Sequence, residues 1–302
     1  MGMESGRPSF SRRWFRQARP LGEGWMRLGL FLARILPRAV GYPLVQTIAW
    51  LWGLFAPHTR GILESNLRPV LGEGICRRRW VALRIFVHAA RQYYEMFYLP
   101  PLPPARIASM VHFEEPGWSR FVEAHRSGKG VILIAPHLSS FDLAGQAITA
   151  RGYPMLVLVL PEQERGFLFL NRLREFQQTR IMPVGPKALR AALRVLEEGG
   201  IVVTGADRPI KGQGTVVEFF GRPTLLPDGH VRLALHTGSS LFLAYCRREK
   251  GEYRVNMVPI ELLREGDREA CVRENVQRIA RAMEPCIRAH PEQWHLFQQL
   301  WD

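Results

Sequence analysis

The chain has 302 residues, of which 47% are hydrophobic and 23% are charged, and its formal net charge is +14 at pH 7. This composition excludes a disordered chain and a bundle of membrane-spanning helices, and the length allows one large α/β domain with a helical appendage. The positive charge calls for an anionic partner such as a nucleic acid, an acidic membrane surface or a phosphorylated substrate. The four cysteines show neither close pairing nor metal-ligand spacing, so we expect reduced side chains and no metal site.

The first region, residues 1–58, is predicted to consist of a basic arm followed by apolar helices. Residues 26–38 place Arg27, Arg34 and Arg38 on one side of a helix, with apolar side chains elsewhere. Such a basic amphipathic pattern is typical of helices that lie on an anionic membrane surface.

Residues 39–57 carry no charge at all, and they are the best candidate for a segment inside the membrane. A membrane span needs roughly 20 apolar residues, so this stretch is marginal in length, and Pro43, Gln46 and Thr47 weaken it. A span would also carry the basic lead across the membrane, against the positive-inside tendency. We therefore expect an interfacial, peripheral element rather than a span, while a core helix of a soluble protein stays open as an alternative.

The remaining sequence divides into a helical region, residues 59–110, packed on an α/β core, residues 111–302. Short apolar runs predict strands at residues 130–136, 155–161, 201–206, 240–246 and 253–260. Periodic patterns predict helices at about residues 141–151, 163–178, 187–198, 229–237 and 270–289. This alternation predicts an α/β fold with a mixed, mostly parallel sheet that helices cover on both faces.

The segment with the strongest chemical signal is residues 130–145. A buried strand ends at Pro136, His137 follows it, and a helix is expected to start near Ser139 or Ser140. Ligands of open α/β sheets bind at the carboxyl ends of the strands. If the chain turns back after His137, Asp142 can hold one ring nitrogen and leave the other as a general base.

Two structural explanations compete with this catalytic pair. Ser139-x-x-Asp142 has the pattern of a capping box, in which the acidic side chain satisfies backbone donors at a helix start. His137 itself fits a histidine of a turn or of the core. The spacing between His137 and Asp142 alone does not distinguish a catalytic pair from these structural roles.

Further segments strengthen the catalytic reading, because the chain resembles a known family over roughly residues 25–302. His137-Leu-Ser-Ser-Phe-Asp142 after an apolar strand resembles the His-x₄-Asp signature of the glycerolipid and lysophospholipid acyltransferase superfamily. Other segments resemble its branch of late acyltransferases of lipid A assembly and phosphatidylinositol mannoside acyltransferases. These segments are Asn66-Leu67, residues 205–208 (GADR), 217–229 (VEFFGRPTLLPDG), Leu233-Ala234 before Thr237-Gly238, and 291–294 (PEQW).

The resemblance implies an enzyme that moves a fatty-acyl group from an acyl thioester to a hydroxyl of a membrane glycolipid or lipid. His137 would act as general base and Asp142 would orient its ring, with no acyl-enzyme and no cofactor. Backbone amides after Ser139 would steady the oxyanion. The donor would be a thioester of acyl carrier protein or coenzyme A, and the expected place is the cytoplasmic face of the bacterial plasma membrane. The Pro-Glu-Gly-Thr segment of the phosphatidic-acid-making branch is missing, and the chain ends at Trp301-Asp302 without the basic tail usual in lipid A enzymes.

Four further residues are candidates for substrate binding. Asp207 and Arg208 follow a predicted strand, so they emerge at the same sheet edge as His137 if that strand is parallel. Arg208 is suited to contact a phosphate of donor or acceptor. Glu218 and Arg180 are additional candidates, whereas Trp294 is expected to serve packing.

Three alternative functions remain to be weighed. A serine hydrolase would need a G-x-S-x-G elbow, and the sequence contains none. A lysophospholipid acyltransferase of glycerophospholipid synthesis stays open as a neighbouring branch. A basic protein that binds membrane or nucleic acid without catalysis is supported by the charge alone, and the Arg-rich region carries little polar chemistry for reading bases, so we expect no nucleic-acid partner.

Overall fold

The described residues of this computed structural model, 23–161, 165–175, 178–209 and 213–301, form eleven α-helices and nine strands. The helices are α1 (Glu23–Ile35), α2 (Arg38–Phe55), α3 (Pro57–Leu71), α4 (Ile75–Tyr98), α5 (Pro104–Ala108), α6 (Gly117–Arg126), α7 (Phe141–Thr149), α8 (Arg165–Arg174), α9 (Pro186–Glu197), α10 (Gly229–Thr237) and α11 (Arg268–Ala289). The strands are β1 (Val111–Phe113), β2 (Val131–Ala135), β3 (Met155–Val159), β4 (Thr179–Pro183), β5 (Ile201–Gly205), β6 (Thr215–Phe219), β7 (Arg222–Leu226), β8 (Ser240–Glu249) and β9 (Glu252–Ile260). The predicted basic arm up to residue 22 lies outside the described residues, as do positions 163, 164, 176 and 177 of the predicted helix 163–178.

Seven strands form one mixed sheet in the order β1-β9-β8-β2-β5-β3-β4. Every neighbouring pair in it is parallel except β8 and β9, which run antiparallel through a tight turn. The α/β class and the mixed, mostly parallel sheet predicted from the alternating pattern are therefore confirmed. The central position of β2 places the end of this strand, and His137 after it, in the middle of the sheet.

Both faces of the sheet are covered, and β2 shows how one strand serves two cores. Ile132 and Ile134 pack in the core that α9, α10 and α11 cover, whereas Val131 and Leu133 pack in the core that α6 and α7 cover. A strand buried on both faces is apolar at successive positions rather than at alternate ones. This is why the β2 sequence, VILIA, contains no polar residue.

Four strands were absent from the sequence-based assignment. β1 is only three residues long, and β4 is an edge strand that contains Arg180 and Pro183. β6 and β7 form a separate two-stranded hairpin whose turn residues Phe220 and Gly221 both have positive φ, 52° and 72°. Short, edge and hairpin strands lack the long apolar run that marks a buried parallel strand, so the sequence pattern that would predict them is weak.

The first four helices pack together. Helices α2 and α3 both pack against α4, and α1 contacts α4 as well as α8. Their outer surface is unusually apolar. Large side chains of α1 and α2 are exposed, namely Leu28, Phe31, Ile35, Val40, Leu44, Ile48, Trp50, Leu51, Trp52, Leu54 and Phe55. Two tryptophans, Trp50 and Trp52, are among these exposed side chains.

No single helix among the described residues is both long and apolar enough to cross a membrane. α2 and α3 meet the length and composition only when they are taken together, and the chain bends by 90° between them.

Close contact between α2 and α4 depends on glycines. A Cβ placed on Gly41 would lie 2.3 Å from the hydroxyl of Tyr94, and one on Gly53 would lie 2.9 Å from the ring of Phe86. These glycines therefore allow the apolar helix α2 to lie directly on aromatic side chains of α4.

We expect Gly41→Ala to destabilise the protein by about 1–3 kcal/mol, because the Tyr94 ring must move and α2 must shift from α4. The matched control is Gly61→Ala in α3, where a Cβ meets nothing within 4 Å. That variant should gain up to about 1 kcal/mol from helix propensity. Denaturant unfolding of the two variants measures the difference, and equal stability of both would contradict the close packing of α2 on α4.

Candidate active site

His137 lies just beyond the carboxyl end of β2, beside the end of the neighbouring strand β5. Ala135 of β2 and Gly205 of β5 are partners in the parallel register, and the amide of Ala206 donates to the carbonyl of Ala135 at 3.0 Å. Pro136 and Ala206 are the next residues after this pair. His137 and Asp207 are both two residues beyond this registered pair, so their side chains meet at the sheet edge.

Asp207 holds the imidazole and the backbone of His137 at the same time. Its Oδ1 lies 2.6 Å from Nδ1 of His137, and its Oδ2 accepts the backbone N–H of His137 at 2.9 Å. The indole Nε1 of Trp294 donates to the same Oδ2 at 2.8 Å. With an ionised carboxylate at Nδ1, the proton of the neutral ring lies on Nδ1, and Nε2 is left as the basic nitrogen.

Asp207 is fully buried, yet it stays in its charged form. Burial opposes ionisation, but the electrostatic attraction to His137 and the hydrogen bonds from its ring, from Trp294 and from the backbone more than offset it. The pKa of Asp207 is consequently held below its ordinary value. The ring of His137 is one quarter exposed, packs edge-on against Phe141 at 5.3 Å, and has its Cε1 against Gly205, where a Cβ would lie at 3.3 Å.

The sequence-based expectation that Asp142 holds the ring of His137 is wrong. Oδ1 of Asp142 accepts from Nε of Arg174 at 2.7 Å, and Oδ2 accepts from Gln92 at 2.8 Å and from Arg174 at 3.2 Å. Asp142 lies inside the first turn of α7, so its side chain points to α8 and α4 while His137 remains in the turn before the helix. A residue on the adjacent strand reaches Nδ1 instead.

The competing capping box is wrong as well, because Ser140 is the N-cap of α7 and makes no side-chain capping bond. Its hydroxyl donates to the buried carboxylate of Glu95. Burial raises the pKa of Glu95, although its hydrogen bonds with Ser140 and Tyr253 oppose this. Residues 136–140 form the turn that carries the candidate base His137, and we call it the catalytic turn. Since Ser140 bonds to Glu95, the first amides of α7 keep their hydrogen-bonding capacity beside this turn.

The C-terminal segment 291–301 is bound along the turn that carries His137. The amide of His295 donates to the carbonyl of His137 at 2.7 Å, and the amide of Ser139 donates to the carbonyl of Gln293 at 2.7 Å. Leu138 and Trp294 form an antiparallel bridge between these two contacts. The turn is strained at Ser139, whose φ of 53° lies in the left-handed region, so these bonds hold a conformation that the local sequence alone disfavours.

Gln92 extends this support from the helical region. Its amide nitrogen donates to Asp142, and its Oε1 lies 2.7 Å from Nδ1 of His295. Asp142 is therefore connected to the catalytic turn through Gln92 and the backbone of His295, and not by contact with the imidazole of His137.

Asn66 of α3 fixes the far end of the same segment. Its side-chain amide donates to the carbonyls of Leu296 at 3.0 Å and Gln298 at 2.8 Å, and its Oδ1 accepts the amide of Leu300 at 2.9 Å. All three bonds are buried, and they join positions more than 200 residues apart. This gives the Asn66-Leu67 motif a physical role as a clamp on the C-terminal segment.

The structure brings some of the candidate binding residues to His137 and not others. Arg208, next to Asp207, donates to the side chain of Gln298 at 3.1 Å and so stays near the catalytic turn. Glu218 is exposed on β6, where its backbone amide and carbonyl bond to Gln277 of α11.

Arg180 is remote from His137 in the sheet register. It lies on the edge strand β4, level with Ile132 near the start of β2 and three strands away. Glu218 and Arg180 therefore lie on a hairpin and on an edge strand, apart from the end of β2, and their role in substrate binding stays a prediction.

Sequence reasoning did not anticipate the roles of two further residues. Trp294, expected to serve packing, is fully buried and also donates to Asp207. Gln92 carried no motif at all. The available signal was the parallel register of β2 and β5, which brings Asp207 next to His137 once the strand order is known.

The chain is similar in sequence to known acyltransferases. The sequence profile of the bacterial lipid A biosynthesis acyltransferase family matches residues 15–302. Phosphatidylinositol mannoside acyltransferase of Mycobacterium tuberculosis (strain ATCC 25618 / H37Rv) is 28% identical over 216 residues, which cover 70% of this chain and 67% of the relative. The protein of the same name from Mycolicibacterium smegmatis (strain ATCC 700084 / mc(2)155) is 26% identical over 293 residues, 93% of each chain.

We expect Asn66→Ala to cost on the order of 3 kcal/mol, because three buried backbone groups lose their partner and each unpaired group costs about 1–3 kcal/mol. Hydrogen exchange should also quicken at residues 294–300, including the amide that donates to His137. The matched control is Asn275→Ala in α11, which removes two bonds to Leu263, each 2.8 Å long, far from the catalytic turn. This control should lose stability without selective exchange at residues 294–300, and the same exchange pattern in both variants would refute the clamp.

Proposed function

The chain belongs to the bacterial lipid A biosynthesis acyltransferase family, and from this premise we propose that it transfers a fatty-acyl group from an acyl thioester to a hydroxyl of a membrane glycolipid. The observation that carries the proposal is the position of His137. Its Nδ1 is engaged by buried Asp207, and its partly exposed ring leaves Nε2 for an incoming hydroxyl.

In the proposed reaction, Nε2 of His137 takes the proton of the acceptor hydroxyl as its oxygen attacks the thioester carbonyl carbon. The ionised Asp207 stabilises the imidazolium that forms. Collapse of the tetrahedral intermediate breaks the carbon–sulfur bond, and the leaving thiolate takes the proton from the imidazolium. No acyl-enzyme and no cofactor takes part in these steps.

The developing oxyanion needs hydrogen-bond donors close to His137. The first amides of α7 supply them in this proposal, since the side chain of Ser140 does not cap this helix. The partial positive charge of the helix N-terminus adds to their effect. Asp142 has a positioning role, because it joins α7 to Gln92 and Arg174.

The curated relatives support a particular class of acceptor. They are named phosphatidylinositol mannoside acyltransferases, and one of them covers nearly the whole chain. We infer that the acceptor is a sugar hydroxyl of a glycolipid of this kind, and that Arg208 contacts a phosphate of donor or acceptor. The acyl donor in this proposal is a thioester of acyl carrier protein or coenzyme A.

We also propose that the protein is a peripheral membrane protein, bound to the cytoplasmic face of the bacterial plasma membrane through α1 and α2. The support is the set of large apolar side chains that these two helices expose and the basic side chains on the same helices, among them Arg27 and Arg34. Large exposed apolar patches mark interaction surfaces, and basic residues favour anionic lipids.

We expect His137→Ala and Asp207→Asn to lower acyl transfer by about 10²–10⁴-fold, since one removes the base and the other removes the charge that orients it. Mass spectrometry of a glycolipid extract incubated with purified enzyme and acyl-coenzyme A measures the transfer. The matched control is His236→Ala, an exposed histidine of α10 that should change nothing. Turnover retained in His137→Ala would overturn the mechanism.

The variant Asp142→Asn tests whether Asp142 positions the site or contacts the ring of His137 directly. Arg174 is mostly buried beside Asp142, so removing the carboxylate should cost about 3–5 kcal/mol of stability. Turnover per folded molecule should fall less than in Asp207→Asn. A greater loss of turnover in Asp142→Asn than in Asp207→Asn would show that Asp142, and not Asp207, is the partner of the base.

We expect the double variant Trp52→Ser/Phe55→Ser to bind phosphatidylglycerol vesicles at least about tenfold more weakly, because two large apolar side chains no longer enter the bilayer. Both residues are exposed, so the melting temperature should not fall. Leu189→Ser, an exposed apolar residue of α9, is the control. Unchanged co-sedimentation of the double variant would count against this surface as the membrane contact.

A further inference from the structure

α4 carries a row of basic side chains that runs from its exposed part toward the buried centre. Arg84, His88 and Arg91 recur at positions i, i+4 and i+7, so they share one face of the helix, and Glu95 follows on the same face. The burial of this row increases along the helix. Arg84 is exposed, His88 and Arg91 are half-buried, and Glu95 is fully buried.

Arg91 already has partners, and Arg84 differs from it in this respect. Nε of Arg91 donates to the hydroxyl of Tyr253 at 2.9 Å and lies 3.4 Å from the carboxylate of Glu95. The guanidinium of Arg84 lies over the ring of Trp80 at 4.8 Å, and among the described residues no carboxylate pairs with it.

Arg248 of β8 faces this row from the sheet. It is the cross-strand partner of Tyr253, and its guanidinium lies 5.9 Å from the ring of that tyrosine. Its Nε is buried and has no hydrogen-bond partner in the described part of the chain. A buried guanidinium nitrogen without an acceptor is costly, so the site is short of one negative group.

The electrostatics at His88 show the same deficit. Burial, together with the positive charges of Arg84, Arg248, Arg91 and His290, lowers the pKa of His88 to about 4. Basic groups from α4, from β8 and from the end of α11 therefore surround His88.

The carboxylates nearest to this point are used elsewhere. Glu95 accepts from the hydroxyls of Tyr253 and Ser140 and pairs with Arg91. Glu249 pairs with Arg247 at 3.4 Å. Glu292 and Glu249 lie near His290, so within the described residues it is Arg84 and Nε of Arg248 that have no carboxylate partner.

The structure assigns a binding site for a phosphate ester to Arg84, His88 and Arg248, which we call the basic recess. Guanidinium groups bind phosphate oxygens through charge-assisted hydrogen bonds, and an anion in the recess gives Nε of Arg248 its missing acceptor. The identity of the ligand rests on the proposed function, because both substrates of the proposed reaction carry phosphate: the head group of the acceptor lipid and the phosphopantetheine arm of the donor.

The recess is next to the catalytic turn. The side chain of Gln293 bonds to the backbone N–H and carbonyl of Arg248 at 2.8 and 2.9 Å, and its own carbonyl accepts the amide of Ser139. At the outer end of the row Trp80 is more than half exposed. A phosphate held between these points lies between the exposed apolar helices and His137, which favours the lipid head group as its source.

Binding is measured directly on the full-length protein, by calorimetric titration with inorganic phosphate in a phosphate-free, low-salt buffer. We expect Arg248→Gln and Arg84→Gln each to weaken phosphate binding at least fivefold, with unchanged melting temperature in the absence of phosphate. Arg281→Gln, an exposed arginine of α11, is the matched control and should bind as the wild type does. Equal loss in Arg281→Gln, or no loss in the exposed variant Arg84→Gln, would show diffuse attraction and overturn the recess.

Two further titrations distinguish the sources of phosphate and do not require catalysis. Glycerophosphoinositol represents the lipid head group, and 4′-phosphopantetheine represents the arm of the donor. We expect Arg248→Gln to weaken binding of the first and to leave the second unchanged, and the reverse result would assign the recess to the donor. If the affinity for neither probe depends on Arg248, the inference is wrong. If the proposed acyl transfer is absent but phosphate binding is intact, the proposed function is refuted and the recess remains a binding site.

Discussion

The hydrogen bond between the ring of His137 and the buried carboxylate of Asp207 is the interaction on which the rest of this structure depends. A fully buried charge is tolerated only when it is paired and hydrogen-bonded, and Asp207 meets this condition with three donors from His137 and Trp294. Two of these donors come from the catalytic turn and one from the end of the chain. The sheet, the turn and the C-terminal segment must therefore all be in place before the site can exist.

This requirement explains the extent of the C-terminal contacts. Segment 291–301 follows the last helix, and it is held from two sides: Asn66 of α3 binds its backbone, and its own Gln293 binds the backbone of Arg248 in β8. Because its bonds reach α3, β8 and the catalytic turn, the segment transmits the stability of three separate elements to the position of His137. The strain at Ser139 is held by the same bonds, as is common where a backbone must present a reactive side chain.

The exposed apolar side chains, the basic groups and His137 lie in successive parts of the protein. α1 and α2 expose large apolar side chains, α4 carries basic groups inward from this region, and the carboxyl edge of the sheet holds His137. A lipid whose chains stay in the bilayer can place its head group near the sheet edge only if the space between is favourable to phosphate. Part of the positive charge seen in the sequence is thus located at specific positions, one of which is the basic recess.

The amino-acid sequence by itself determined the α/β class, the buried strands such as β2, the position of His137 at the end of one of them, and the family resemblance later confirmed. These features depend on local periodicity and on short motifs, which a chain carries whatever its partners are. Only the tertiary structure decided that Asp207 and not Asp142 holds the imidazole, that Trp294 and Asn66 support the site, and that Glu218 and Arg180 lie away from it. Such pairings depend on strand order, register and helix orientation, and residues 70 or 200 positions apart come into contact only when the whole sheet and its covering helices have formed.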